Sequence, residues 1–150
     1  MVGSATTNSV STGNNKAAGV AFIEADLKDQ PPWIATEYVD GPNLREHLRK
    51  HGPLSVAEIR SLGLCLLDGL EELHDGGVFH RDLTPQNVLL SEAGPRIVDF
   101  GISHLRDAST ITTNRNQFHT PGYIAPELLL GGTVTEAADI YSFGVLLLGA

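Results

Sequence analysis

The chain has 150 residues, 41% of them hydrophobic, and 18 acidic against 10 basic side chains give it a formal net charge of −8. That length is enough for one domain with a real core. The acidic balance argues against a general nucleic-acid binder, which needs a basic surface to neutralise phosphates.

The single cysteine, Cys65, excludes an internal disulfide. It lies among apolar neighbours in a helical pattern, so a small buried hydrophobe is its expected role, in keeping with a reducing, cytoplasmic setting. Met1 is not followed by a basic start and an apolar run, and no apolar stretch is long enough for a membrane span.

Residues 1–18 are rich in Gly, Ser, Thr and Asn and read as a disordered polar tail, with one domain expected over 19–150. Val20-Ala21-Phe22-Ile23 is a strand candidate. Ala25 to Gln30 reads as a polar connection, and Trp33 to Val39, rich in aromatic and β-branched residues, as a second strand ended by Asp40-Gly41-Pro42. Leu44 to His51 is a short amphipathic helix stopped by Gly52-Pro53. Ser55 and Glu58 have the spacing of a capping box, and Ile59, Leu62, Leu66, Leu70 and Leu73 form one helical stripe up to Gly76-Gly77.

Val88-Leu89-Leu90 and Arg96-Ile97-Val98 flank a turn-rich linker, Ser91 to Pro95, and predict a hairpin. Residues 102–120 read as a long polar loop. Pro126 to Leu130 reads as a brief helix, and Thr135 as the cap of a last one, whose apolar surface after Ser142 predicts burial on all sides.

The predicted hairpin places Asn87 before one strand and Asp99 after the other, so their side chains converge. Asp82 and Asp99 are a possible carboxylate pair for general acid–base work. An oxygen-only set of Asn87 and Asp99 suits a hard cation such as magnesium, leaving Asp82 to orient a hydroxyl nucleophile, a division of labour that fits phosphoryl transfer. No His/Cys group has zinc spacing, and His47, His51 and His74 read as solvated or helix-end residues.

His80-Arg81-Asp82-Leu83-Thr84-Pro85-Gln86-Asn87 resembles the catalytic loop of eukaryotic-like (bacterial-type) serine/threonine protein kinases. Asp99-Phe100-Gly101 is similar to their magnesium motif and Ala125-Pro126-Glu127 to the end of their activation segment. His119-Thr120-Pro121-Gly122-Tyr123 is similar to the substrate-docking loop, and Asp139 to Gly144 to the start of the large buried helix.

The resemblance implies an α+β, protein kinase-like fold, truncated to the last strands of the N-lobe, the hinge and the first part of the helical C-lobe. It implies Asp82 as base, and Asn87 and Asp99 as ligands of Mg2+ (or Mn2+). ATP would meet the backbone of Glu37 and Val39, with Thr36 behind the pocket, Leu89 under the adenine and Asn43 near the ribose. His80, Phe100 and Gly101 would be structural, Asp139 would brace the catalytic loop, and Thr120 belongs to the docking loop. Arg81 beside Asp82 implies control by a phosphate on Thr110, Thr112 or Thr113.

Two departures bear on activity. Thr84 stands where the family usually has a lysine that touches the transferred phosphate. No glycine-rich loop or Val-Ala-Ile-Lys-like strand occurs in the chain, and no arginine is at hand to pair with Glu127, so weak or absent activity of the chain alone is expected. A kinase-like interaction module (a pseudokinase) and a small-molecule, antibiotic-type phosphotransferase are the alternatives. The threonine-rich loop and Ala125-Pro126-Glu127 disfavour the second.

Overall fold

The computed structural model describes residues 18–26, 33–99 and 122–150. Residues 1–17, 27–32 and 100–121, which include most of the expected tail and the expected polar loop over 102–120, lie outside these residues. Among the described residues the order is strand β1 (Phe22–Asp26), strand β2 (Trp33–Thr36), helix α1 (Leu44–His51), helix α2 (Val56–Asp75), and a single 3-10 turn (Pro85–Asn87). Strands β3 (Val88–Ser91) and β4 (Gly94–Ile97) and helices α3 (Pro126–Leu129) and α4 (Glu136–Leu148) follow.

The strands form two antiparallel hairpins, β1–β2 and β3–β4. In the first, Phe22 faces Thr36 and Asp26 faces Trp33, with an irregularity between Phe22 and Glu24. The strand begins later than the sequence suggests and runs into the stretch expected to be a polar connection. Val20 is diverted: its N–H donates to the Ile97 carbonyl (3.2 Å), and Gly19 bridges Ile97 in parallel. The exposed edge of β4 offers backbone partners there, and burial of Val20 adds to the gain. Ala18, the last residue of the stretch read as tail, is buried.

Both α1 and α2 start with complete capping boxes, Asn43 with Glu46 and Ser55 with Glu58. The apolar stripe of α2 is the spine of the core: Leu62, Leu66 and Leu70 are buried, with Ile59 and Leu73 packed at its ends. Around it gather Leu44 of α1, Leu83, Val88, Ile97 of β4, and Phe143 and Leu146 of α4. Burying such side chains contributes about 1.5–3 kcal/mol each.

The β3–β4 turn is tighter than expected. Ser91 pairs with Gly94 and Leu90 with Pro95, so only Glu92 and Ala93 form the loop. The Ser91 hydroxyl donates to the Gly94 carbonyl (2.8 Å), and Gly94 has φ 118°, a region that suits glycine.

Two expectations at α4 are corrected. Thr135 occupies the N-cap position, but its side chain makes no capping bond. The helix is buried on one side only: Phe143 and Leu146 face the core, while Ile140, Tyr141 and Leu148 are exposed. The Ser142 hydroxyl ties α4 to the preceding segment through the Tyr123 carbonyl (2.7 Å).

Close packing of residue 18 on α2 depends on Gly69, where an added Cβ would lie 2.6 Å from that of Ala18. Gly69→Ala gains about 1 kcal/mol of helix propensity. Overpacking costs about 1–3 kcal/mol and should win. Urea unfolding of the variant should therefore show a lower midpoint; an unchanged or higher one would mean that Ala18 does not pack there.

Candidate active site

The open end of the β3–β4 hairpin brings two of the predicted site residues together. The Val98 N–H donates to the Asn87 carbonyl (2.9 Å), extending the ladder one pair past Val88–Ile97, and Asp99 is the next residue. Asn87 closes the 3-10 turn. Its side-chain Nδ2 donates to the Asp82 carbonyl (2.8 Å), and its N–H donates to the Thr84 carbonyl (2.9 Å). With the amide nitrogen committed to the loop, Oδ1 is the atom left for a ligand. Asp99 is exposed and left-handed (φ 60°), a conformation that costs a non-glycine residue and clusters at functional sites.

The donors at this end are an amide oxygen and a carboxylate. That hard, oxygen-only set fits magnesium or manganese completed by phosphate oxygens and water. Among the described residues no group of three or more His, Cys, Asp or Glu side chains is placed to hold a metal ion.

The loop carrying Asp82 is hung from α4. Asp139, fully buried, accepts from the His80 N–H at Oδ2 and from the Arg81 N–H at Oδ1, both at 2.8 Å. Arg81 is the second left-handed non-glycine residue (φ 69°), and these bonds hold it there. The His80 ring fixes the other side. The Asp82 N–H donates to Nδ1 (3.3 Å), which therefore carries the lone pair. The proton is on Nε2, which donates to the Val98 carbonyl (3.0 Å). His80 thus links the loop at Asp82 to the segment entering Asp99, as a neutral ring whose burial pushes it below its ordinary pKa.

One contributor escaped the sequence reading. His74, expected to be a solvated or helix-end residue, is at the end of α2, but its side chain is only 9% exposed and its Nε2 lies 2.8 Å from Asp139 Oδ2. A histidine six residues before the loop gives no local signal of a partner 65 positions on.

The remaining predicted residues are distributed as follows. Thr36 ends β2, and the Glu37 N–H donates to the Ala21 carbonyl (2.9 Å). The Glu37 carbonyl and the Val39 N–H have no backbone partner among the described residues. Leu89, in β3, bridges to Asn43. Asn43, expected at a ribose, is the cap of α1: Oδ1 accepts from the Glu46 N–H (2.9 Å), so only its amide nitrogen is left to reach a ligand. Thr84 is buried. Glu127 lies in the first turn of the short α3 and has no ion-pair partner among the described residues. Phe100, Gly101, Thr110, Thr112, Thr113 and Thr120 lie outside the described residues.

The neutral state of His80 makes a pH prediction. Its folded pKa is below the ordinary value of 6.5, so the unfolded chain binds the proton more readily. Its contribution is present above about pH 6.5 and lost as pH falls through the folded pKa. Urea midpoints should drop between neutral and mildly acidic pH, with a smaller drop in His80→Gln; equal slopes in the two proteins would place the titration elsewhere.

A model of the protein kinase domain matches residues 15–150. The probable serine/threonine-protein kinase PkwA of Thermomonospora curvata is 39% identical over 125 residues, 83% of this chain and 17% of that protein. The serine/threonine-protein kinase AfsK of Streptomyces coelicolor is 37% identical over 131 residues, 87% of this chain and 16% of that protein. The crystal structure of the Mycobacterium tuberculosis PknI kinase domain matches with a TM-score of 0.62 and 31% identity, over 78% of this chain and 41% of that one. The chain therefore spans 17% and 16% of these two curated relatives, and its α+β architecture is part of a kinase domain. By sequence and by fold, the chain belongs to the protein kinase domain family.

Proposed function

We propose that the protein transfers the γ-phosphate of ATP to serine or threonine hydroxyls of protein substrates, and that these residues supply the hinge, the catalytic loop and the metal-facing segment. The observation that carries this reading is the joint at Asn87, whose side chain holds the Asp82 backbone while its own backbone pairs with Val98, next to Asp99. One small unit thus carries a carboxylate for the acceptor hydroxyl and two oxygen donors for a cation.

In the proposed reaction Asp82 orients the acceptor hydroxyl and takes its proton on a carboxylate oxygen. The hydroxyl oxygen bonds to the γ-phosphorus as the bond to the bridging oxygen breaks, and ADP leaves. Mg2+ or Mn2+, when bound by Asn87 and Asp99, supplies charge neutralisation for the phosphates. The Glu37 carbonyl and the Val39 N–H suit the donor and acceptor edge of adenine, since neither has a backbone partner among the described residues. Thr84 brings no charge to the phosphates, and the chain has no glycine-rich loop. Transfer by the chain alone is therefore expected near background.

Arg81 supports the regulatory part of the proposal. Its Nε is buried without a hydrogen-bond partner among the described residues, which suits a guanidinium awaiting an anion such as a phosphate on Thr110, Thr112 or Thr113. Buried, uncharged Thr84 favours a second reading, a kinase-like module that binds partners without transferring phosphate.

A chimera separates the two readings. Residues 18–150 replace the matching segment of the PknI kinase domain, which restores the parts this chain does not contain. The chimera should transfer labelled phosphate from ATP, and Asp82→Asn should reduce the rate by about 10²-fold or more. Phosphopeptide mapping of the active chimera should find the modified threonine between residues 110 and 113. Equal rates for the chimera and its Asp82→Asn variant would refute the assignment of the base.

A further inference from the structure

The molecule is acidic, yet one short helix is basic. Helix α1 reads LREHLRKH and carries three of the chain's 10 Lys and Arg residues together with two histidines. Arg45, Arg49, Lys50 and His51 are exposed. No carboxylate among the described residues is ion-paired with Arg45, Arg49 or Lys50, although acidic side chains outnumber basic ones 18 to 10. The rings of His47 and His51 lie 4.7 Å apart on the same side of the helix. Between this helix and Pro42 runs a cleft of about 410 Å³ lined by Pro42, Glu46, His47, Arg49, Lys50 and His51. Its one acidic residue, Glu46, is occupied by the cap, accepting from the Asn43 N–H.

Helix stability accounts for part of this pattern. Cations in a last turn offset the helix dipole by about 0.3–1 kcal/mol each, which covers Arg49, Lys50 and His51. It does not cover Arg45, a cation in the first turn, where the dipole disfavours positive charge. Nor does it explain a cleft lined by Arg49, Lys50, His47 and His51 against one carboxylate, Glu46.

We infer that this face of α1 docks a short acidic segment of a protein substrate. A segment rich in Glu and Asp fits the charge of the cleft and its size. An extended polyanion such as nucleic acid would also meet the remainder of a chain whose net charge is −8. The position suits a substrate. The N-terminus of α1 is tied to β3 through the Asn43–Leu89 bridge and the Leu90 N–H to Pro42 carbonyl bond (2.8 Å). The helix packs on the 3-10 turn that ends at Asn87. An eight-residue helix is about 12 Å long, so an extended chain bridges from the cleft to the catalytic loop in a few residues. That the occupant is a substrate rests on the kinase reading; the binding itself does not.

The test is fluorescence anisotropy of a labelled Glu-rich peptide with the whole chain, so it reads binding and not catalysis. Binding should weaken as salt rises. Arg49→Glu with Lys50→Glu should weaken it about tenfold, while Arg60→Glu, an exposed charge on α2, should leave it unchanged. Arg45→Glu, one turn before Arg49 and outside the cleft lining, separates binding from folding: it should weaken the peptide by less than the Arg49/Lys50 variant while favouring the dipole of α1, so its unfolding midpoint should not fall. Equal affinity in all variants would overturn the inference. So would tighter binding of a single-stranded oligonucleotide or of anionic vesicles than of the peptide. Salt-sensitive dimerisation of the chain, lost in the Arg49/Lys50 variant and not displaced by peptide, would assign the face to a second copy instead.

Discussion

The candidate site depends on one buried carboxylate. Asp139 belongs to α4, accepts from two successive backbone N–H groups of the loop that carries Asp82, and meets the His74 ring at the end of α2. A buried carboxylate is tolerable only when its oxygens are satisfied, and here both are. Removing it would leave two N–H groups unpaired inside the protein, at about 1–3 kcal/mol each. The same bonds hold Arg81 in a left-handed backbone conformation, a strain of about 1–3 kcal/mol. Charge, strain and loop position are thus one problem with one solution.

From that anchor the order passes outward in short steps. His80, fixed as the Nε2–H tautomer, joins Asp82 to Val98. Asn87 joins the Asp82 carbonyl to the hairpin and presents its oxygen beside Asp99. Each step is a single hydrogen bond, local between His80 and Asp82 and between Asn87 and Asp82 and spanning 18 positions between His80 and Val98, and the loop they join is held by Asp139, so the geometry of three polar side chains rests on the seating of α4 against α2. The apolar stripe of α2 supplies that seat through contacts near Gly63, where an added Cβ would lie 3.3 Å from Leu147 and 3.7 Å from Phe143.

How much of this was legible in the sequence follows from the range of the interactions. Local ones were readable: the Ser55–Glu58 box, the Leu62, Leu66 and Leu70 stripe, and the pairing that brings Asn87 next to Asp99. The Asn43 cap obeys the same local rule, and a helix cap is one of the two roles its position suggests. Long-range effects were not readable. His74 has its partner 65 residues away. Val20 left its expected strand because the edge of β4 was available, and Ala18 is buried because Gly69 leaves room for it. The one-sided burial of α4 follows from which surfaces happen to lie opposite it, which its own apolar pattern cannot specify.

The central claim is that Asp139 holds the loop that carries Asp82. Amide hydrogen exchange of Asp139→Ala at His80 and Arg81, compared with the parent chain, addresses it most directly. The account predicts that protection at these two amides falls by about tenfold or more while the amides of α2 around Leu66 keep theirs. Unchanged protection at His80 and Arg81 in a folded variant would contradict it.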